Sequence, residues 1–154
     1  GGVGTPLVAE LLAKGFPVRA VVRSRDVRSA NLAKLGAEVV VADLYDPDQL
    51  TIAARGMQRA FYLPPIRPYM IQIAFAVAAR EAKREHSGEM SQWTSHRSHI
   101  ANMTRQTWLV DQLFGMIPGV AHTVFNPGMF AYNFLRTIDY AALLGIYPVL
   151  SGDG

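Results

Sequence analysis

Cysteine is absent from the 154 residues. That excludes disulfides and thiolate metal sites, and makes the reducing cytoplasm the expected location. Long apolar runs are lacking too. The longest, near residues 71–79, is interrupted by Gln72 and is too short to span a bilayer, so no membrane partner is expected. The first residues are glycines, with no basic segment leading into an apolar one, so no signal peptide is read there. Strong charge of one sign is missing as well. The formal net charge is +3 and the basic residues are scattered, which gives little basis for a nucleic-acid partner. An initiator Met is not present. The chain opens inside a glycine run and closes on Leu150-Ser151-Gly152-Asp153-Gly154, so both ends are expected to be breaks within a longer protein. Half the residues are hydrophobic and 18% are charged, the balance of a globular domain. Residues 1–154 suit a single domain with a real core.

Apolar residues Val3, Leu7, Val8, Leu11 and Leu12 share one helical face, and Gly15 closes that helix with a left-handed cap. Residues 16–22 form a β-branched apolar run that predicts a buried strand ending at Arg23. A short helix over 28–35 closes at Gly36, and Val39-Val40-Val41 marks a second buried strand over 38–42. Asp46-Pro47-Asp48 opens a helix that stops at Gly56. A third strand over 59–63 ends at Pro64-Pro65, and a long helix follows over 69–84. Residues 86–93 stand where a fourth strand is expected, but Ser87 and Gly88 make a poor one. A helix over 100–113, a strand over 120–125 and the turn Asn126-Pro127-Gly128 complete the reading.

Short apolar strands alternating with helices predict an α/β fold with a parallel sheet covered on both faces. Because a helix comes first, the sheet is expected to lack its first strand. In a doubly wound sheet that strand is central, and its loss leaves the two strands beside it with unpaired edges.

A glycine-rich turn between strand and helix lets phosphate oxygens approach the backbone, and the helix N-terminus adds free amides and partial positive charge. Gly1, Gly2 and Gly4 stand at such an opening. Alone, the run is a weak signal, with a flexible terminus as the lesser alternative. With the order that follows, the chain resembles the NmrA-like branch of the atypical short-chain dehydrogenase/reductase superfamily. Gly1 and Gly4 look like the second and third glycines of its Gly-x-x-Gly-x-x-Gly loop, without the first. Leu11-Leu12-Ala13-Lys14-Gly15, Val18-Arg19-Ala20-Val21-Val22-Arg23, Gly36-Ala37-Glu38-Val39-Val40 and Ala42-Asp43-Leu44 match in order and spacing. Asn126-Pro127-Gly128-Met129-Phe130 with Asn133 resembles the family's Arg-Pro-Gly-x-Phe and trailing Asn. The resemblance covers nearly the whole chain and implies a Rossmann-type NAD(P)-binding domain.

The end of the second strand of that fold faces the adenosine ribose, where an acidic residue suits NAD and an arginine suits the 2′-phosphate of NADP. Arg23-Ser24-Arg25 make the position basic, so NADP is expected over NAD. The alternative reading of these arginines is a solvated loop, and Arg28 reads either as a further phosphate contact or as a helix-surface residue. The resemblance implies that Asp43-Leu44 borders the adenine and that Leu63-Pro64 runs beside the nicotinamide ribose. As plain residues, Asp43 is a turn carboxylate and the prolines are loop punctuation.

Typical short-chain dehydrogenases use Tyr-x-x-x-Lys, in which the lysine lowers the phenol's pKa. None of the six tyrosines has a lysine at that spacing. Aligning the helix near Val110 with the family puts Met103 and Thr107 at those positions, and neither does acid–base work. By resemblance, Ser91 lies where a polar residue holds the substrate carbonyl. His96 and His99 follow it, and His99 is a candidate proton donor. No carboxylate accompanies the two histidines, so no metal site is assigned. Trp93, Asn126 and Phe130 are candidate pocket residues, although aromatics such as Trp93 and Trp108 are more often core. Arg105 reads as a solvated side chain. The expected function is an NAD(P)H-dependent oxidoreductase acting on a small carbonyl or quinone. The alternatives are a non-catalytic NADP sensor and an inactive fragment.

Overall fold

The computed structural model describes residues 2–63, 70–83, 85–128, 130–135 and 138–145. Helices and strands alternate from the start: α1 (Gly4–Ala13), β1 (Arg19–Val22), α2 (Val27–Lys34), β2 (Glu38–Val41), α3 (Pro47–Ala54), β3 (Arg59–Tyr62), α4 (Met70–Glu81), β4 (His86–Met90), α5 (Asn102–Gly115) and β5 (Ala121–Phe125). Two helices not foreseen from the pattern follow, α6 (Tyr132–Leu135) and α7 (Ile138–Leu144).

All pairings are parallel. They form two separate sheets, β1-β2 and β3-β4-β5. In a Rossmann-type doubly wound sheet the first strand lies between these two groups. The architecture is therefore that sheet without the strand joining its halves, and β1 and β3 each end their sheet. Side chains tie the first half to the helix that follows it. Arg19 of β1 donates Nη1 to the carbonyls of Ala53 and Arg55 at the end of α3, both at 2.8 Å. Its Nε pairs with Glu38 of β2, also at 2.8 Å.

The glycine stops behave as the left-handed geometry requires: Gly15, Gly36 and Gly56 have φ of 80°, 102° and 77°. Asp46 caps α3 by accepting from the amides of Asp48 and Gln49, with Pro47 in the first turn. Two departures are informative. The strand expected from Phe16 begins only at Arg19, because Pro17 cannot donate to a ladder, and Phe16 is half exposed. The run over 86–93, expected to be a poor strand, supplies β4, which is central in its sheet with a partner on each side.

Its small residues are explained by the neighbours. Phe61 of β3 and Phe125 of β5 meet edge to face at 5.7 Å across β4. A Cβ on Gly88 would lie 3.2 Å from the Phe61 ring and 3.3 Å from the Phe125 ring. Ser87 and Glu89 are fully buried on the strand's other face.

The core is alanine-rich. Ala42, Leu50, Ala53, Ala74 and Ala78 pack β2's end against α3 and α4. A second cluster of Ala76, Val110 and Phe114 joins α4 to α5. Small side chains let helices approach closely, and Phe114, with no exposed surface, fills the space between. Among the described residues, no helix is long and apolar enough to cross a membrane.

Candidate functional site

Parallel strands put their carboxyl ends on one side, and in open α/β sheets ligands bind there. Gly2 and Val3 form the turn into α1, whose N-terminus has no side-chain cap. Its amides are thus disposed as an anion site requires. The structure brings Gly4 beside Leu63, since a Cβ on Gly4 would lie 3.5 Å from Leu63 Cδ1. Gly1 and Pro64, also assigned to the cofactor from sequence, lie outside the described residues.

Arg23, Ser24 and Arg25 follow β1 directly and are exposed. Among the described residues, neither arginine makes a side-chain hydrogen bond or ion pair. A shallow groove of about 300 Å³ beside them is lined by Arg25, Asp26, Ser29, Ala30 and Ala33. Asp26 is occupied elsewhere. It caps α2 through the Ser29 amide and pairs with Arg28 at 2.6 Å. Those contacts, the Ser29 amide first, hold its carboxyl below the usual carboxylate range. Its charge is therefore compensated locally by Arg28, while Arg23 and Arg25 remain available.

Asp43 is exposed, accepts from the Tyr45 amide at 2.9 Å, and has its own amide bonded to Gln49. Leu44 is half buried against the alanine cluster. This pair shapes the loop after β2, at the same end of the sheet as Arg23.

The loop after β4 carries the other candidates. The Ser91 amide donates to the Phe125 carbonyl at 2.8 Å, and the Trp93 amide to Pro127 at 3.1 Å. These bonds set Ser91 and Trp93 beside the segment holding Asn126. Trp93 is 69% exposed, so it is a surface aromatic and not core. Asn126 is exposed, and Phe130 is half buried with its carbonyl accepting from the Asn133 amide. His99 accepts from the Ala101 amide at Nδ1, which puts the proton of a neutral ring on Nε2. His96 is exposed and accepts from the Ser98 amide. Among the described residues, no cluster of His, Asp or Glu could hold a metal ion. Arg105 is exposed, as expected, and donates Nη1 to the carbonyls of His99 and Ile100. Thr107 donates to the Met103 carbonyl and accepts from Gln92 Nε2, so its one hydroxyl proton is already committed.

The sequence reading missed the buried polar cluster below this loop. Ser87 Oγ lies 2.7 Å from His122 Nδ1, and His122 Nε2 lies 3.5 Å from Glu89 Oε1. The His122 ring stacks on Phe114 at 4.4 Å. Burial pushes the Glu89 carboxyl up from its ordinary pKa, with neighbouring His122 opposing. Burial likewise raises the Tyr62 phenol, aided by the Glu89 charge. The signal in the sequence was the polar alternation of Ser87, Glu89 and His122. It shows itself as a cluster only when β4 and β5 pair in register, with Ser87 opposite His122.

Known proteins fit this geometry. Residues 1–87 match the model of the NmrA-like family. No curated protein matches the chain. Among solved structures, an NADPH-dependent quinone oxidoreductase of Escherichia coli complexed with NADPH is similar at a TM-score of 0.78 and 21% identity, over 90% of this chain and 50% of that one. A Citrobacter triphenylmethane reductase complexed with NADP(H) aligns at 0.69 and 21%, over 84% and 47%. A nucleoside-diphosphate-sugar epimerase of Staphylococcus aureus aligns at 0.82 and 17%, over 100% and 57%. At these identities the likeness shows the fold, and the chain spans about half the length of the structures it matches. With the glycine turn, the divided parallel sheet and a family match over more than half its length, this chain belongs to the NmrA-like family.

Proposed function

We propose that this chain is the NADP-binding part of an NAD(P)H-dependent oxidoreductase that reduces a small carbonyl or quinone. The observation carrying the reading is the pair Arg23 and Arg25, exposed at the carboxyl end of β1 with no ion pair among the described residues. The uncapped α1 N-terminus and Leu63 lie at the same end of the fold. The α1 amides would take the pyrophosphate, Arg23, Ser24 and Arg25 the 2′-phosphate, and Asp43-Leu44 would border the adenine. Two solved relatives of the same fold carry NADPH or NADP(H), which supports this cofactor. Bound NADPH would supply the hydride. The chain's own residues orient the acceptor, with Trp93, Asn126 and Phe130 as its walls and Ser91 and His99 nearest. Quinone reduction asks little acid–base help of the protein, which suits a site whose Thr107 and Met103 offer none.

That same engaged Thr107 favours a second reading, a sensor that binds NADP without turnover. The test is NADPH oxidation with a panel of quinones and aldehydes, run beside a nicotinamide fluorescence titration. Binding with turnover is the expected result. Binding without turnover would establish the sensor. Absence of binding would overturn both.

A further inference from the structure

Asp111 of α5 is buried, yet it is held by neither lysine nor arginine in any described contact. Its Oδ2 accepts from Ser91 Oγ at 2.8 Å and from Ser95 Oγ at 2.5 Å. Its Oδ1 is buried with no close hydrogen bond, and so are both Glu89 oxygens beside it, Oε1 having only His122 Nε2 at 3.5 Å. Burying a carboxylate is costly, and an apolar residue would pack there without that cost. Two charge-assisted bonds run from it to the loop after β4, and the Glu89 carboxyl of the sheet is its other polar neighbour. Gln92 reaches the same helix through Thr107, one turn before Asp111, and Arg97 lies over the Trp108 ring at 5.7 Å. The loop is thus laced along one face of α5, with Asp111 at its inner end.

We propose that Asp111 is a positioning residue that fixes Ser91 and Ser95, and with them residues 91–99, over the carboxyl ends of β4 and β5. Resting on the reductase reading, it also sets the polarity of Ser91. The single hydroxyl proton of Ser91 is directed to Asp111, so its oxygen offers lone pairs. Ser91 then has no proton to give a carbonyl or quinone oxygen, so it acts on the bound molecule through the placing of the loop and not by donating to it. The groups facing Asp111 are Glu89 on β4, His122 on β5 beyond it, and Tyr62 on β3 beside Glu89.

The test compares wild type, Asp111→Ala, Asp111→Asn and Ser91→Ala/Ser95→Ala by amide hydrogen exchange. The same set is run through NADPH titration and NADPH oxidation with a naphthoquinone. Losing bonds to a charged group should speed exchange at residues 92–96 by about ten- to a hundredfold in Asp111→Ala and in the double serine variant. Asp111→Asn, which keeps an acceptor oxygen, should recover much of the protection. NADPH affinity should stay within about twofold while kcat/KM for the quinone falls about tenfold or more. Exchange that rises equally through α5 and β4, or an unchanged loop, would overturn the proposal. So would Asp111→Asn as impaired as Asp111→Ala. If wild type binds no NADPH, the reductase reading fails, and loop exchange still decides the role of Asp111.

Discussion

Removing Arg23 is the sharpest probe of cofactor choice. The side chain is exposed and, among the described residues, makes no ion pair, so its loss should leave the fold intact. Opposite charges about 4 Å apart in water attract by about 1 kcal/mol. A 2′-phosphate carries nearly two charges, which doubles that to about 2 kcal/mol before screening by salt. Exposure puts the outcome at the lower part of the range for charge-assisted bonds, about 1.4–2 kcal/mol, or about ten- to thirtyfold in affinity. Arg23→Ala should therefore weaken NADPH by that factor and leave NADH within about twofold, since NADH has no 2′-phosphate. Arg25→Ala should act in the same sense, and the double variant should abolish the preference for NADPH. The assay is nicotinamide fluorescence titration at fixed ionic strength, repeated at higher salt, where wild type should lose more affinity for NADPH than Arg23→Ala does. Equal losses for NADPH and NADH, or no preference in wild type, would refute the assignment of the 2′-phosphate to this loop.

Two further outcomes follow from the buried cluster. Phe114→Ala empties a fully buried site that stacks on His122 and packs against Ala76 and Val110, and should cost about 3–5 kcal/mol in urea unfolding; a loss below about 1 kcal/mol would mean that α5 is not fixed on β5 as described. Glu89 has a raised pKa in the folded state, so the folded chain holds its proton where the unfolded chain, near the ordinary 4.5, has released it. Stability linked to Glu89 is therefore fully present below that value and lost as pH rises above it. Glu89→Gln should remove this loss, with the two melting curves diverging in favour of the variant from about pH 4.5 upward. Parallel pH profiles for the two proteins would refute it.

Much of this fold is written locally. Gly15, Gly36 and Gly56 end helices because left-handed backbone is cheap only for glycine, and Asp46-Pro47 starts one because a carboxylate and a missing amide both suit a first turn. Apolar periodicity gave α1, and the triple valine gave β2, without knowledge of their neighbours. The glycine turn and the basic run after β1 are likewise contiguous, so the cofactor side of the candidate site could be read from order and spacing.

What sequence could not convey depends on partners distant in the chain. Ser87-Gly88-Glu89 is a weak strand by propensity, and it becomes a central one because Phe61 and Phe125 close over Gly88 while His122 meets Ser87 and Glu89. Asp111 reads as an ordinary helix carboxylate until the loop after β4 folds back and places two serine hydroxyls on it. Trp93 could have been core, and only the direction of that loop left it exposed. Local backbone preference and hydrophobic period act over a few residues and are fixed by the sequence itself. Register, burial and the meeting of polar groups arise when strands from different parts of the chain pair, and the tertiary structure alone decided those.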